Sequence, residues 1–331
     1  MVTKKEIAEY LGISRTAVSL VLNNTPSSTI SAETRTRILQ AAKELGYRDV
    51  EVSPKLCYVL YNRESNDPRY MGNLKVMEEE ASQLNYGLVF MNITSAEDSL
   101  NKLQRLLDNQ EIEGFIVSGD VDKTLIDMFR QSQAPYIIEG LPLPDIIDNV
   151  NFAANDDRRL AYDATSYLIS IGHTRIALFM GSLDYYTHRL GMEGYCQALE
   201  DNGLPVDKSL IQISNEENGY ELCKRAEILQ VDYTAAFCAN TVIQFGVLQR
   251  LKETGTAVPQ SISLIGSGLN ELARVSVPQL TTLYASTAET AKTVSLLIDI
   301  IHTRVPYGNS CLFTKFERFE GGTAAPRKTK H

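Results

Sequence analysis

The 331-residue sequence lacks tryptophan, has only five cysteines and four histidines, and contains no apolar run long enough to cross a membrane. The cysteines are scattered, and neither a Cys-x-x-Cys pair nor a Cys/His cluster occurs, which excludes a disulfide framework and a zinc finger. The first residues also lack the apolar segment of a signal peptide. The sequence therefore predicts a protein of the reduced cytoplasm with no membrane partner, no bound metal and no cofactor.

Positive charge is also scarce, because the net charge is −9 at pH 7. This balance argues against a nucleic-acid binder that is basic throughout. The charge is unevenly placed, however: residues 1–56 carry eight Lys/Arg against six Asp/Glu, and the remainder has a net charge of −11. A slightly basic head on an acidic body is compatible with a small DNA-binding module joined to a larger sensor.

Clusters of catalytic residues are missing from the sequence as well. His173, His188 and His302 lie far apart without metal-ligand spacing, and residues 266–268 lack the flanking pattern of a nucleophile elbow. Asp156-Asp157 fits a solvated helix start better than a pair for acid/base work. The sequence thus predicts that the protein is not an enzyme.

Three short amphipathic helices are predicted in the first fifty residues. Thr3 caps a first helix that ends at Gly12, and Ser14 caps a second helix over residues 15–23. A polar loop follows, and a third helix covers residues 32–45. Two short helices joined through a glycine, with a third bracing them, describe a helix-turn-helix.

The second of these helices is the one that enters the major groove in that motif. Arg15 can pair bidentately with guanine, and Leu20 can pack on a thymine methyl group. The exposed positions there are Arg15, Thr16, Ser19 and Leu20, and Asn23 and Asn24 at the far end can reach phosphate. A plain three-helix bundle with an inert polar surface is the alternative that periodicity leaves open.

Motifs in this head carry a family resemblance. They are Lys5-Glu6-Ile7-Ala8, Leu11-Gly12-Ile13-Ser14, Ala17 to Asn23, Ser31 to Arg35 and Leu45-Gly46-Tyr47. In order and spacing they resemble the headpiece of the LacI/GalR family of bacterial transcriptional regulators. The resemblance implies a homodimer on a pseudo-palindromic operator in double-stranded DNA. Leu20 stands where the family usually has Arg, and Ala17 where it has Thr; we expect the change at Leu20 to alter the operator sequence that is read.

The segment after the headpiece departs from the family, whose members have a hinge helix that wedges a leucine into the minor groove. Here the linker of residues 49–56 is short, Pro54 would sit inside that helix at a cost of about 3 kcal/mol, and Leu56 lies near the leucine position. We expect a weakened or absent hinge helix. The residues assigned to DNA are Thr3, Ser14, Arg15, Thr16, Ser19, Leu20, Asn23, Asn24, Thr34, Tyr47 and Leu56.

From residue 57 on, β-rich runs alternate with helical patterns, which predicts parallel sheets with crossover helices in two lobes. The predicted strands are Tyr58–Tyr61, Gly87–Met91, Gly114–Ser118, Tyr136–Glu139, Ile176–Met180, Ile211–Ile213, Ala235–Cys238, Ser263–Gly266 and Thr281–Leu283. The predicted helices are Gly72–Leu84, Ser95–Leu107, Leu125–Gln131, Arg158–Ile171, Gly191–Asn202, Gly219–Leu229, Val242–Glu253 and Thr287–His302. Ligands of such sheets bind at the carboxyl ends of the strands, here between the lobes.

The family resemblance continues through this body at Glu113 to Val117, Gly172 to Ala177, Gly194 to Leu199, Val258 to Ser263 and Pro278 to Thr282. It implies a small all-α helix-turn-helix headpiece followed by an α/β two-lobed core with parallel sheets, like type I periplasmic binding proteins. The predicted units are a headpiece (1–48), a shortened hinge (49–56), a two-lobed effector-binding and dimerisation domain (57–323) and a flexible tail (324–331). Within the core, the first lobe covers 57–150 with a return near 284–310, and the second covers 151–283.

The predicted cleft departs most from the family. Sugar- or purine-binding members typically place an Arg at the position of Gly191 and an Asp at that of Gly268, so a bidentate cation and a carboxylate are missing. The candidate effector residues are Tyr61, Tyr70, Tyr185, Thr187, Arg189, Asn240 and Tyr284. Either these residues hold a sugar-like or atypical small molecule, or the core binds no small ligand and serves dimerisation and a protein co-regulator.

These features together predict a sequence-specific transcriptional regulator, a repressor, whose DNA affinity responds to a ligand in the cleft. A regulator gated by a protein partner, or ungated, is the nearer alternative. A solute-binding or enzymatic α/β protein with a vestigial head is the remote one. The lack of an export signal disfavours the solute-binding version, and the lack of a catalytic cluster disfavours the enzyme.

Overall fold

A computed structural model describes residues 2–22, 30–47, 54–109, 111–303 and 310–327, with the side chains of residues 32, 33 and 43 left aside. The helices are α1 (Lys4–Leu11), α2 (Arg15–Leu22), α3 (Ala32–Glu44), α4 (Pro68–Gln83), α5 (Glu97–Asn109), α6 (Lys123–Ser132), α7 (Asp157–Ser170), α8 (Tyr186–Asp201), α9 (Gly219–Ile228), α10 (Thr241–Glu253), α11 (Glu271–Val275) and α12 (Thr287–Thr303). The strands are β1 (Lys55–Tyr61), β2 (Gly87–Ile93), β3 (Gly114–Gly119), β4 (Tyr136–Glu139), β5 (Phe152–Ala154), β6 (Ile176–Met180), β7 (Ile211–Ile213), β8 (Ala235–Cys238), β9 (Ser263–Ser267), β10 (Thr281–Ala285), β11 (Cys311–Phe313) and β12 (Phe316–Phe319).

The headpiece consists of α1, α2 and α3 around a small apolar core. Thr3 and Glu6 form a reciprocal capping box that starts α1, as predicted. Gly12 ends α1 in the left-handed region at φ +66°, which a residue with a Cβ adopts only with strain, and so allows the tight turn into α2. The core residues are Ile7, Ala8, Val18, Val21, Leu22, Ile38, Ala41 and Ala42. Leu39 of α3 lies outside this core and is 39% exposed.

Two six-stranded sheets form the lobes of the core. The first has the strand order β11-β5-β4-β3-β1-β2, and the second has the order β12-β10-β9-β8-β6-β7. The strand pairs of the first sheet are parallel, and in the second only β12 runs antiparallel to its neighbour. Parallel strands are buried on both faces by helices, which explains why β1 and β6 are nearly continuous apolar runs.

The chain crosses between the lobes at other positions than predicted, so the predicted lobe boundaries are wrong. The predicted second lobe began at residue 151, but β5 pairs with β4 in the first sheet. The return to the first lobe extends beyond residue 310, because β11 pairs with β5. The chain therefore passes between the lobes three times, after β5, after β10 and after β11.

The predicted flexible tail is wrong for its first residues. Thr323 is buried, and its hydroxyl donates to the Leu264 carbonyl at 2.8 Å. The backbone N–H of Ala325 then donates to Ser263 Oγ at 3.1 Å, and that of Arg327 donates to the Ile171 carbonyl at 2.9 Å. Residues 328–331 lie outside the described residues.

Helices α7 and α8 cross in close contact at Gly194. A Cβ built on Gly194 would overlap the Arg158 carbonyl oxygen and lie 3.1 Å from Tyr162 N. Glycine is therefore needed at this position for the two backbones to approach, and this contact gives the Gly194 landmark of the sequence its physical meaning.

Candidate functional site

The helix-turn-helix surface lies at the start of α2. Ser14 caps this helix, because its Oγ accepts from Ala17 N at 3.1 Å. Arg15 and Thr16, in the first turn, are exposed, whereas Ser19 and Leu20 are half-buried on the same helix. Val18 and Val21 face the core. The helix therefore presents a polar first turn to solvent while its other side holds the head together.

Other residues assigned to DNA have structural roles in the head. Thr3 is exposed and is the α1 cap, and its hydrogen bonds lower the pKa of Glu6. Thr34 N donates to Ser31 Oγ at 3.2 Å, so Ser31 caps α3. Tyr47 packs against the headpiece core. Asn23 and Asn24 lie outside the described residues.

The assignment of Leu56 to the minor groove is wrong for this conformation. Leu56 belongs to β1, is fully buried and packs in the core beneath α4 and α12. The reason is that the first strand begins at Lys55, so the leucine faces the sheet core instead of a linker. Most of the predicted hinge, residues 49–53, lies outside the described residues.

A cavity of about 280 Å³ lies between the lobes at the carboxyl ends of the strands. Its wall combines hydroxyl and amide side chains with glycine, alanine and other apolar residues. The polar residues are Asn73, Ser118, Asn155, Asn240, Thr241, Ser267, Asn270, Thr290, Thr293 and Thr314. Gly268, at φ +91°, also lines it with open space around its Cα, so the absence of a side chain there does enlarge the cleft.

The charged groups of the cavity wall differ in how they are compensated. Glu139, at the end of β4, accepts from Tyr58 OH at 2.6 Å and from Asn73 Nδ2 at 2.5 Å. Within the part of the chain that the structure describes, no cation pairs with this carboxylate. Arg69 is the cation of the described wall, and it already binds Asp67 and Glu217.

Three of the predicted effector residues line this cavity: Tyr70, Asn240 and Tyr284. Burial raises the pKa of Tyr70 to about 12, so its hydroxyl stays protonated. Asn240 caps α10 by accepting from Ile243 N at 2.9 Å, and Tyr284 OH donates to Glu317 at 3.1 Å. Tyr70 and Tyr284 come from different lobes, so the cavity has one aromatic ring from each.

The other four predicted residues lie away from the cavity wall. Tyr61 is fully buried in the first-lobe core, with its hydroxyl 3.0 Å from Asp122. Arg189 donates to the carbonyls of Leu183 and Asp184 at 2.6 and 3.1 Å, because it is held at the start of α8. Tyr185 and Thr187 also belong to that helix start.

Sequence reasoning missed Glu139, Asn155 and Asn270. Glu139 is the last residue of β4, and Asn155 and Asn270 closely follow β5 and β9. The rule that ligands bind at the carboxyl ends of parallel strands would have selected all three. Asn155 and Asn270 are partly engaged already, since Asn155 Oδ1 accepts from Thr314 at 2.6 Å and Asn270 donates to Thr241 at 2.7 Å.

Two contacts cross between the lobes beside the cavity. Arg69, near the start of α4, donates to Glu217, which precedes α9 in the second lobe. Arg63, after β1, pairs with Asp120 and lies 5.0 Å over the ring of Tyr185 from the second lobe. We call these two contacts the interlobe latch.

Within the described residues, no group of three or more His, Cys, Asp or Glu side chains is arranged to hold a metal ion. The same residues include no helix that is both long and apolar enough to span a bilayer.

A helix-turn-helix head ahead of a two-lobed α/β core with a polar interlobe cavity defines a DNA-binding regulator with a ligand-binding type of domain. Comparison with known families agrees: residues 3–49 match "Bacterial regulatory proteins, lacI family", and residues 53–299 match "Periplasmic binding proteins and sugar binding domain of LacI family". The chain belongs to the LacI family, and it is a DNA-binding transcriptional regulator.

Curated relatives match nearly the whole chain, and solved structures share its fold. The transcriptional repressor PurR of Pasteurella multocida (strain Pm70) is 27% identical over 319 residues, which cover 92% of this chain and 93% of that protein. The transcriptional regulator CelR–cellobiose complex has a TM-score of 0.72 at 23% identity, covering 98% of this chain and 100% of that one. The lac repressor dimer bound to operator and the anti-inducer ONPF has a TM-score of 0.70 at 21% identity, covering 98% and 99%.

Proposed function

We propose that the protein represses transcription in the cytoplasm by binding a pseudo-palindromic operator as a homodimer. The observation that carries this proposal is the first turn of α2, where Arg15 and Thr16 are exposed directly after the Ser14 cap. The first turn of a recognition helix is the part that reaches base edges in the major groove. Arg15 supplies the guanine contact, and Leu20 supplies an apolar contact to thymine.

The DNA-reading role is tested first by selecting bound duplexes from a random pool with purified full-length protein at fixed salt. We expect an inverted repeat to be enriched. Arg15→Ala should then weaken binding to the selected site by about 1–3 kcal/mol and relax preference at one base position. Lys5→Ala is the matched control: Lys5 is an exposed cation on α1, so its loss should weaken selected and random duplexes about equally.

If Arg15→Ala weakens selected and random duplexes to the same extent, Arg15 contributes only charge and the base-reading role is wrong. If no sequence is enriched, the head is not a specific reader, and control through a protein partner becomes the better explanation.

We also propose that a neutral or cationic polar molecule, such as a sugar or amino sugar, binds the interlobe cavity and changes operator affinity. The wall offers amides, hydroxyls and the Glu139 carboxylate, which has no cationic partner among the described residues. Arg69 is already compensated by two carboxylates, so an anionic ligand would have to displace one of them. Tyr70 and Tyr284 can each cover an apolar ring face.

Thermal shift assays with glucose, glucosamine and glucose 6-phosphate test whether the cavity prefers neutral and cationic ligands to anionic ones. A wider panel of neutral, cationic and anionic saccharides, including cellobiose, follows. We expect stabilisation by neutral or cationic members and not by their phosphorylated counterparts. Glu139→Gln should weaken a cationic member more than its neutral counterpart. Preferential binding of the anionic members would refute the proposed ligand class.

A further inference from the structure

The interlobe latch joins side chains from both lobes at the cavity. Arg69 lines the cavity from the first lobe, and its guanidinium binds Asp67 on its own side and Glu217 on the other. Glu217 is held in turn by the second lobe, since Asn240 Nδ2 lies 3.5 Å and His188 Nε2 3.6 Å from its carboxylate. The Glu217 carboxylate thus joins a cation of the first lobe to polar groups of the second lobe.

The setting of this ion pair distinguishes it from a surface pair. The side chains of Arg69 and Glu217 are only 24% and 13% exposed, whereas Arg158 and Glu193, paired within the second lobe, are 52% and 50% exposed. Exposed pairs contribute little, but removing one partner of a shielded pair leaves a charge without compensation. Burial lowers the pKa of Arg69, but Asp67 and Glu217 outweigh that effect and raise it, so the guanidinium stays charged.

The second contact of the latch acts in the same direction. Arg63 is anchored by Asp120 in the first lobe and covers the Tyr185 ring of the second. Tyr185 in turn packs edge-on against His188, which touches Glu217. Both contacts therefore meet on the start of α8 and the segment before α9, and opening the lobes would break them together.

We propose that Glu217 serves as a built-in ligand for Arg69, so that this ion pair, assisted by Arg63 on Tyr185, holds the lobes closed without an effector. An effector would then act on lobes that are already drawn together, by altering the latch rather than by creating the closure. The first part stands on the interlobe geometry alone, and the link to DNA affinity rests on the proposed function of the cavity.

Hydrogen exchange of ligand-free, full-length protein tests the closure itself. The reporter amides are those of Gly140 in the first lobe and of residues 267–270 in the second, which line the cavity and lie outside the latch. The variants are Arg69→Gln, Glu217→Gln and the double variant, compared with Arg158→Gln as the control within one lobe. Each latch variant should exchange about 2- to 100-fold faster at the reporters, the range expected for a coupled pair of this kind.

The double variant should exchange no faster than the single ones, because the second substitution removes a partner that has already lost its contact. Unchanged exchange in both single variants, or equal acceleration by Arg158→Gln, would overturn the latch. The same variants are then titrated with the selected operator. A change in operator affinity that parallels exchange supports the whole inference; a change in exchange alone supports the latch and overturns its link to DNA binding.

Discussion

Replacing Gly194 with alanine should show whether helix packing or helix propensity has the larger effect on stability at this position of the second lobe. Gly194 lies in α8 where the helix touches the α7 backbone, and an added Cβ would overlap the Arg158 carbonyl oxygen and lie 2.9 Å from its carbon. These atoms are backbone and cannot rotate away, so the two helices must move apart. At Gly191, in contrast, an added Cβ would lie 3.4 Å from the terminal methyl of the Met180 side chain, which is ordinary van der Waals contact with a flexible group.

The two substitutions should therefore differ in sign. Alanine in place of glycine within a helix gains about 1 kcal/mol from helix propensity. Overpacking costs about 1–3 kcal/mol or more, and backbone overlap places Gly194→Ala at the upper end. We expect a net loss of about 1–2 kcal/mol for Gly194→Ala and a gain of up to about 1 kcal/mol for Gly191→Ala.

Thermal unfolding followed by circular dichroism measures both variants against the parent protein. About 2–4 °C of midpoint shift is expected per kcal/mol for a unit of this size, downward for Gly194→Ala and unchanged or upward for Gly191→Ala. Equal shifts for the two variants would show that α7 and α8 do not meet as described, and the argument from backbone contact would fail.

Three further outcomes follow from the contacts described. Thr3→Ala should destabilise the headpiece by about 1 kcal/mol, because the capping box is lost. Thermal unfolding followed by circular dichroism should show this as an earlier loss of helical signal. An unchanged unfolding curve would contradict the capping role of Thr3. His173 is buried and hydrogen-bonded to Thr234 and Ala325. Burial lowers the pKa of His173 below 6.5, although the hydrogen bond to the Ala325 carbonyl opposes this effect. The unfolded chain therefore binds more protons in acid than the folded chain does. The denaturant concentration at the unfolding midpoint should therefore fall as the pH is lowered from about 7.5 to about 5.5, and it should fall less in His173→Gln. An equal pH dependence in both proteins would assign the acid sensitivity to other groups. Arg189→Ala should leave affinity for any cavity ligand within about twofold in calorimetry, since Arg189 binds carbonyls of its own helix start; a tenfold loss would return it to the cavity.

Local rules account for what the sequence could predict. The capping pair Thr3 and Glu6, the cap at Ser14 and the left-handed Gly12 each act within a few residues, so the three head helices follow from the sequence alone. Four predicted strands, at Tyr136–Glu139, Ile176–Met180, Ile211–Ile213 and Ala235–Cys238, agree with the structure residue for residue. Their apolar runs are short and sharply bounded.

Longer-range features escaped prediction for physical reasons. A strand buried on both faces shows no alternation of polar and apolar residues. The sequence therefore did not reveal that Tyr61 points into the core and not into the cleft. β5, β11 and β12 are only three or four residues long, and β11 and β12 form because the chain returns to a sheet begun much earlier. The pairing of Arg69 with Glu217 depends on how two lobes meet, which no local pattern encodes.

The repeated passage of the chain between the lobes has a consequence for synthesis of the protein. The first sheet opens with β1 near the head, but β11, one of its two edge strands, follows α12 after the chain has returned from the second lobe. During synthesis on the ribosome, the first sheet therefore stays incomplete, with the edge of β5 unpaired, until β11 has been translated. By then the whole second lobe has been made except β12 and the segment after it. Unpaired edges in such intermediates invite aggregation. The headpiece, which is continuous in sequence, has no such delay and can fold while the rest of the chain is still being made.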